Sequence, residues 1–119
     1  MKQVQEKLNS LYGSEIKSIE FLFRSNEIHI SVVIKDKGEV ENFDLKFIEV
    51  IGHELRKEWA DEEWLIISIA EIFYLPELGT NTSVSEDYKS KYNFLIDGDG
   101  FDLYIAAKQL IIEDEEIML

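Results

Sequence analysis

The chain of 119 residues contains no cysteine and a single proline, Pro76. Without cysteine there is no disulfide framework, no thiolate metal site and no thiol nucleophile. Basic residues are scarce in one half. Residues 61–119 carry fourteen acids against three bases (Lys89, Lys91, Lys108), whereas residues 1–60 carry eleven acids and nine bases. The net charge of −13 therefore sits almost wholly in the second half. A polyanionic partner is disfavoured, so neither nucleic acid nor an anionic membrane is expected as a ligand, and no basic stripe exists to bind one. Long apolar runs are also missing: none is long enough to span a bilayer, and no basic-then-apolar leader opens the chain. The expected location is the cytoplasm.

The composition, 45% hydrophobic and 12% aromatic, is that of a folded globular protein, and the length fits one domain over residues 1–119. Residues 2–12 read as a short helix, with Val4, Leu8, Leu11 and Tyr12 on one stripe and Gly13 placed to end it. Residues 16–47 read as a three-stranded meander. A Ser25-Asn26 turn sets Phe23 opposite Ile28, Phe21 opposite Ile30 and Ile19 opposite Val32. A polar loop at 36–39 sets Val32 opposite Phe43, Ile30 opposite Leu45 and Ile28 opposite Phe47.

From Ile48 to Glu63 the period is lost, and two helical turns are expected between His53 and Ala60. Residues 64–75 have strand-forming composition, with helix as the alternative, and Pro76 ends the segment. Residues 76–91 lack periodicity and are read as a long mobile loop. Residues 92–112 close the fold as a hairpin about Asp97–Gly100, with Ile96 opposite Phe101, Phe94 opposite Leu103 and Tyr92 opposite Ile105. Ala106-Ala107-Lys108 breaks the alternation and calls for a bulge. Glu113–Glu116 reads as a solvated acidic tail. The expected fold is mainly β (α+β by count): one short helix docked on about six antiparallel strands, forming a sandwich or a curved roll.

Chemical signatures are few. Asp97, Asp99, Gly100 and Asp102 invite a calcium loop, but an EF-hand with glycine at its sixth position would start at Leu95 and end at Ala106, both wrong ligands. His53-Glu54 lacks the second histidine of a zinc helix, and His29 is expected to face solvent opposite Lys46. No serine occupies a glycine-flanked elbow and no glycine-rich phosphate loop precedes a helix. An enzyme is not expected, nor is any metal or other cofactor. Trp59 and Trp64 flank the acidic Asp61-Glu62-Glu63, and with Glu86 and Asp87 they form the candidate partner-binding set.

The order of elements resembles small bacterial immunity proteins of polymorphic toxin systems and related uncharacterised β-rich domains. The resemblance rests on the N-terminal helix, the meander ending at Phe43-Asp44-Leu45-Lys46-Phe47, the long apolar strand and the hairpin from Phe94 to Ala107. It implies a cytosolic, non-catalytic binder that occludes a toxin. The functional expectation is thus an acidic protein-binding domain that neutralises a basic partner such as a nuclease domain. The alternative is a β-domain binding a small ligand or metal through the Asp97–Asp102 loop or the Trp59/Trp64 region.

Overall fold

A computed structural model describes residues 3–11, 13–36, 38–57, 69–78, 84–98 and 101–119. The N-terminal stripe folds as helix α1 (Gln3–Asn9) and buries Val4 and Leu8, with Leu11 following in the next turn. A glycine is needed at position 13, where φ is +77° and the chain reverses into the first strand. Seven residues of helix are too few to hold in water alone. The rest of the molecule supplies the support: the Val4 and Gln5 N–H groups donate to the carboxylate of Glu77 at 3.1 and 2.9 Å, covering the helix N-terminus.

Among the described residues, seven antiparallel strands make one sheet: β1 (Ser14–Leu22), β2 (Glu27–Asp36), β3 (Glu39–Lys57), β4 (Ile69–Tyr74), β5 (Phe94–Gly98), β6 (Phe101–Ile112) and β7 (Glu115–Ile117). The order is β3-β2-β1-β4-β5-β6-β7, and β3 also pairs with β6. Strand β3 is responsible for the closure. Its first half pairs with β2 from Glu39 to Phe47 and its second half with β6 from Leu45 to Lys57, so one long bent strand joins the two halves into a barrel. The opposite seam is short, Ser14 with Ala70 and Glu15 with Ile69. Beyond it, the Gln5 side chain substitutes for a strand on the β4 edge. Its amide donates to the Ile72 carbonyl at 3.0 Å and accepts from the Tyr74 N–H at 2.7 Å.

The interior is filled by Ile28, Ile30, Val32, Leu45, Phe47, Phe94, Ile96, Leu103, Ile105 and Leu110, all at most 2% exposed. Phe47 meets Phe94 edge to face at 5.0 Å between ring centres. A second, smaller cluster lies on the outer face, where Leu75, Leu95 and Tyr104 are covered by Val84, Tyr88 and Tyr92.

The structure reproduces some expected pairings and moves others. Val32 with Phe43, Ile30 with Leu45 and Ile28 with Phe47 stand in the β2–β3 ladder as the pattern requires. In β1–β2, however, Phe21 faces Ile28 and Ile19 faces Ile30, a slip of two residues. The turn therefore spans the four residues Phe23–Asn26, and Asn26 adopts a φ of +55°. In β5–β6, Phe94 faces Ile105, Ile96 faces Leu103 and Gly98 faces Phe101, again a slip of two. The ladder therefore ends at Gly98 and Phe101, and Asp99 and Gly100 lie outside the described residues. Tyr92 leaves the hairpin and joins the outer cluster.

Residues 48–57, read as irregular and partly helical, are strand. The lost period reflects a bulge: Val50 pairs with Ala107 and Gly52 with Ala106, so Ile51 is the extra residue, preceded by Glu49 at φ +51°. The bulge expected on β6 is thus found on its partner, opposite Ala106 and Ala107. Residues 69–74 are strand, as composition suggests, while 64–68 lie outside the described residues. The segment 76–91 is not all loop. It holds a 3-10 turn (Leu75–Glu77) and helix α2 (Glu86–Lys91), whose Ser85 side chain accepts from the Tyr88 N–H at 3.4 Å. The acidic C-terminal segment folds back as β7. Glu113 and Asp114 both take positive φ to make the turn, and Ile117 buries its side chain in the core.

Candidate functional site

The β1–β2 turn and the β3 bulge meet at the barrel's end, joined by a hydrogen bond from the Val50 N–H to the Asn26 carbonyl at 2.8 Å. Between them lies an open groove of about 360 Å³, lined chiefly by Phe21, Phe23, Ile28, Val50, Ile51 and His53. Its floor is core: Ile28 is buried, and Phe21 and Val50 pack against the interior. Its walls are exposed. Phe23 and Ile51 each leave 75% of their surface in water, unusual for side chains of this size. The Phe21, Phe23 and His53 rings form one cluster, with centres 6.3 Å apart between the phenylalanines and 5.1 and 6.3 Å from each to the imidazole. Glu27 lines the groove and the exposed Glu49 adjoins Val50, against one base in the turn, Arg24.

Local sequence accounts for this display. Had β1 paired in the expected register, Phe23 would lie opposite Ile28 inside the barrel. The slip of two places Phe21 there and pushes Phe23 into the turn. The bulge does the same for Ile51.

On the outer face, α2 is fastened over the sheet by aromatic stacking and a charged hydrogen bond. Tyr88 stacks on Tyr104 at 4.4 Å, and its hydroxyl donates to Glu54 Oε2 at 2.6 Å. That bond pushes the Tyr88 hydroxyl above the ordinary tyrosine pKa, reinforced by partial burial. The Arg56 guanidinium lies 5.8 Å from the Tyr88 ring centre. Next to this patch, Glu71, Asp97, Asp102 and Arg56 occupy successive positions across β4, β5, β6 and β3. Desolvation raises the Asp97 carboxyl to about 6, aided by its hydrogen bond to Asp102 and by the charges of Asp102 and Glu71.

The model of the family described as YxiG-like protein matches residues 4–117, nearly the whole sequence. The chain belongs to the YxiG-like protein family. No curated protein and no solved structure matches it. The family description states no activity or partner, so in this member the site is judged on its geometry alone.

Of the sequence-derived candidates, Glu86 and Asp87 stand exposed on the first turn of α2. Trp59, Asp61, Glu62, Glu63 and Trp64 lie outside the described residues. His29 faces outward opposite Lys46, as expected, with Nε2 2.7 Å from Glu27. Among the described residues no group of three or more His, Asp or Glu side chains is arranged to hold a metal ion. Asp99 and Gly100 of the supposed calcium loop are outside those residues. No helix among the described residues is long and apolar enough to cross a membrane. Phe23, Ile51 and His53 were missed by sequence reasoning. Periodicity assigned Phe23 to the core and found no order around Ile51. The available signal was Phe-Arg-Ser-Asn, which makes a four-residue turn as readily as Ser-Asn makes a two-residue one.

Proposed function

We propose that this chain is a non-enzymatic, acidic, cytoplasmic protein-binding domain that receives a basic protein partner at the groove between the β1–β2 turn and the β3 bulge. The exposed pair Phe23 and Ile51, beside an aromatic cluster, carries this reading. Rigid aromatic and aliphatic side chains that stand in water at a concave site are the anchors from which interfaces gain most of their binding energy. Glu27 and Glu49 at the groove, within a chain of net charge −13, favour a cationic partner and speed its approach. A toxin domain such as a nuclease has that character, and occluding it is the work of an immunity protein. Trp59, Trp64, Asp61, Glu62, Glu63, Glu86 and Asp87 extend the proposed binding set, the acids acting on the rate of encounter.

The test is paired affinity capture at low salt from the native cell, with the wild-type chain and a Phe23→Ser, Ile51→Ser variant. A basic protein held by the first, released by salt and absent from the second is the expected result. Identical capture by both chains refutes the assignment of the groove.

A further inference from the structure

Strand β3 outlasts its neighbour. Its ladder with β2 ends at Phe47 with Ile28, and the Val50–Asn26 backbone hydrogen bond follows before the β1–β2 turn carries the chain away, beyond which the Phe21 and Phe23 rings still meet His53. Residues Ile51 to Lys57 continue for seven positions, bonded to β6 from Gly52 onward along one edge only. Among the described residues no strand pairs with the other edge. Two other edges carry side-chain covers: Gln5 serves β4, and the Asn93 amide serves β6, donating to the Ala107 carbonyl at 2.7 Å and accepting from its N–H at 3.0 Å. The overhang of β3 has no comparable side-chain amide among the described residues. It is also the edge beside which Phe23 and His53 stand.

We infer that the basic partner binds by strand addition: an extended segment of it takes up the line of β2 beyond the turn and pairs with Ile51–Lys57. This rests on the protein-binding reading above and deepens it by naming the mode. Main-chain hydrogen bonds to the edge would give the segment its register, and alternate side chains would point into the groove. One apolar side chain of the segment would lie among Phe21, Phe23 and His53, over the floor made by Ile28 and Val50. Charge fixes the direction of the fit. Glu27 and Glu49 mark the groove end, while Arg56 marks the far end, so the cationic residues of the segment belong at the groove.

The probe is a capped peptide of alternating lysine and valine with one central phenylalanine, compared with a twin N-methylated at every second amide. Binding to the intact chain is followed at low salt by NMR, with amide hydrogen exchange read at residues 51–57. The expected result is slowed exchange at alternate amides of that stretch, and a loss of affinity of roughly tenfold or more on N-methylation, which removes the backbone donors. If both peptides bind alike, shifting Phe23 and His53 without slowing exchange, strand addition is refuted while the groove remains a docking site. If neither peptide binds, both readings fall.

Discussion

Replacing Asp97 by asparagine should stabilise the protein at neutral pH and do nothing for it at about pH 3. Asp97 faces Asp102 on one side and Glu71 on the other, so three carboxylates lie in a row across adjacent strands. Like charges directly opposite in a sheet repel. Partial burial of Asp97, its hydrogen bond to Asp102 and the two neighbouring charges place its carboxyl at about 6 in the folded state, against 3.8 for the free group. Between these values the folded chain holds a proton that the unfolded chain has released. Stability from this group is therefore complete below about pH 4 and declines as pH rises through 6. Because the side chain is substantially solvated, screening reduces the loss at neutral pH to about 1 kcal/mol.

Urea unfolding of the wild type and the Asp97→Asn variant, at about pH 3 and about pH 7.5, measures the difference directly. The asparagine retains the hydrogen-bonding capacity and removes the charge. It should gain about 1 kcal/mol at the higher pH and within ~0.3 kcal/mol of nothing at the lower. Contributions from carboxylates remote from this row cancel between the two proteins. A gain of equal size at both pH values would show that the row is not electrostatically strained. So would a carboxyl carbon signal of Asp97 that titrates near 4.

Three further outcomes follow from packing. Gln5→Ala removes both hydrogen bonds that cover the β4 edge and should cost about 1–2 kcal/mol in denaturant unfolding, with faster amide exchange at Tyr74. Gly98→Ala directs a new Cβ into the ring of Phe101, itself buried, and should cost about 1–3 kcal/mol by the same measurement; an unchanged midpoint would mean the ring moves freely. Phe23→Ser should leave stability within about 0.5 kcal/mol of the wild type, whereas Phe47→Ala should cost about 3–5 kcal/mol, because the first side chain is exposed and the second fully enclosed.

What the sequence discloses and what it withholds follow from one property of strands. Side chains two apart share a face, so the apolar alternation of Phe94, Ile96, Leu103 and Ile105 names the inward residues without the structure. The same alternation is blind to a slip of two, which keeps every one of those side chains inside. Only the turn decides between such registers. At β2–β3 the ladder, closing at Asp36 with Glu39, agrees with the pattern and is legible to the residue. At β5–β6 the sequence offers two Asp-Gly pairs, and the ladder that ends at Gly98 with Phe101 departs by two from the register expected. The long continuation of β3 is hidden for a related reason: one extra residue at Ile51 inverts the pattern halfway, and an inverted alternation reads as none.

The groove arises where these ambiguities fall. The two-residue slip in β1–β2 keeps an aromatic ring opposite Ile28, Phe21 standing where Phe23 is expected. It nevertheless moves a whole phenylalanine from a buried position to one that is 75% exposed, and the bulge does likewise for Ile51. Burying either ring or chain was open to the sequence through a shorter turn or an unbroken ladder. Phe23 and Ile51 left in water against that alternative are the side chains that the proposed partner would cover. For that reason the two positions that pattern reading handled worst are the two on which the functional proposal stands.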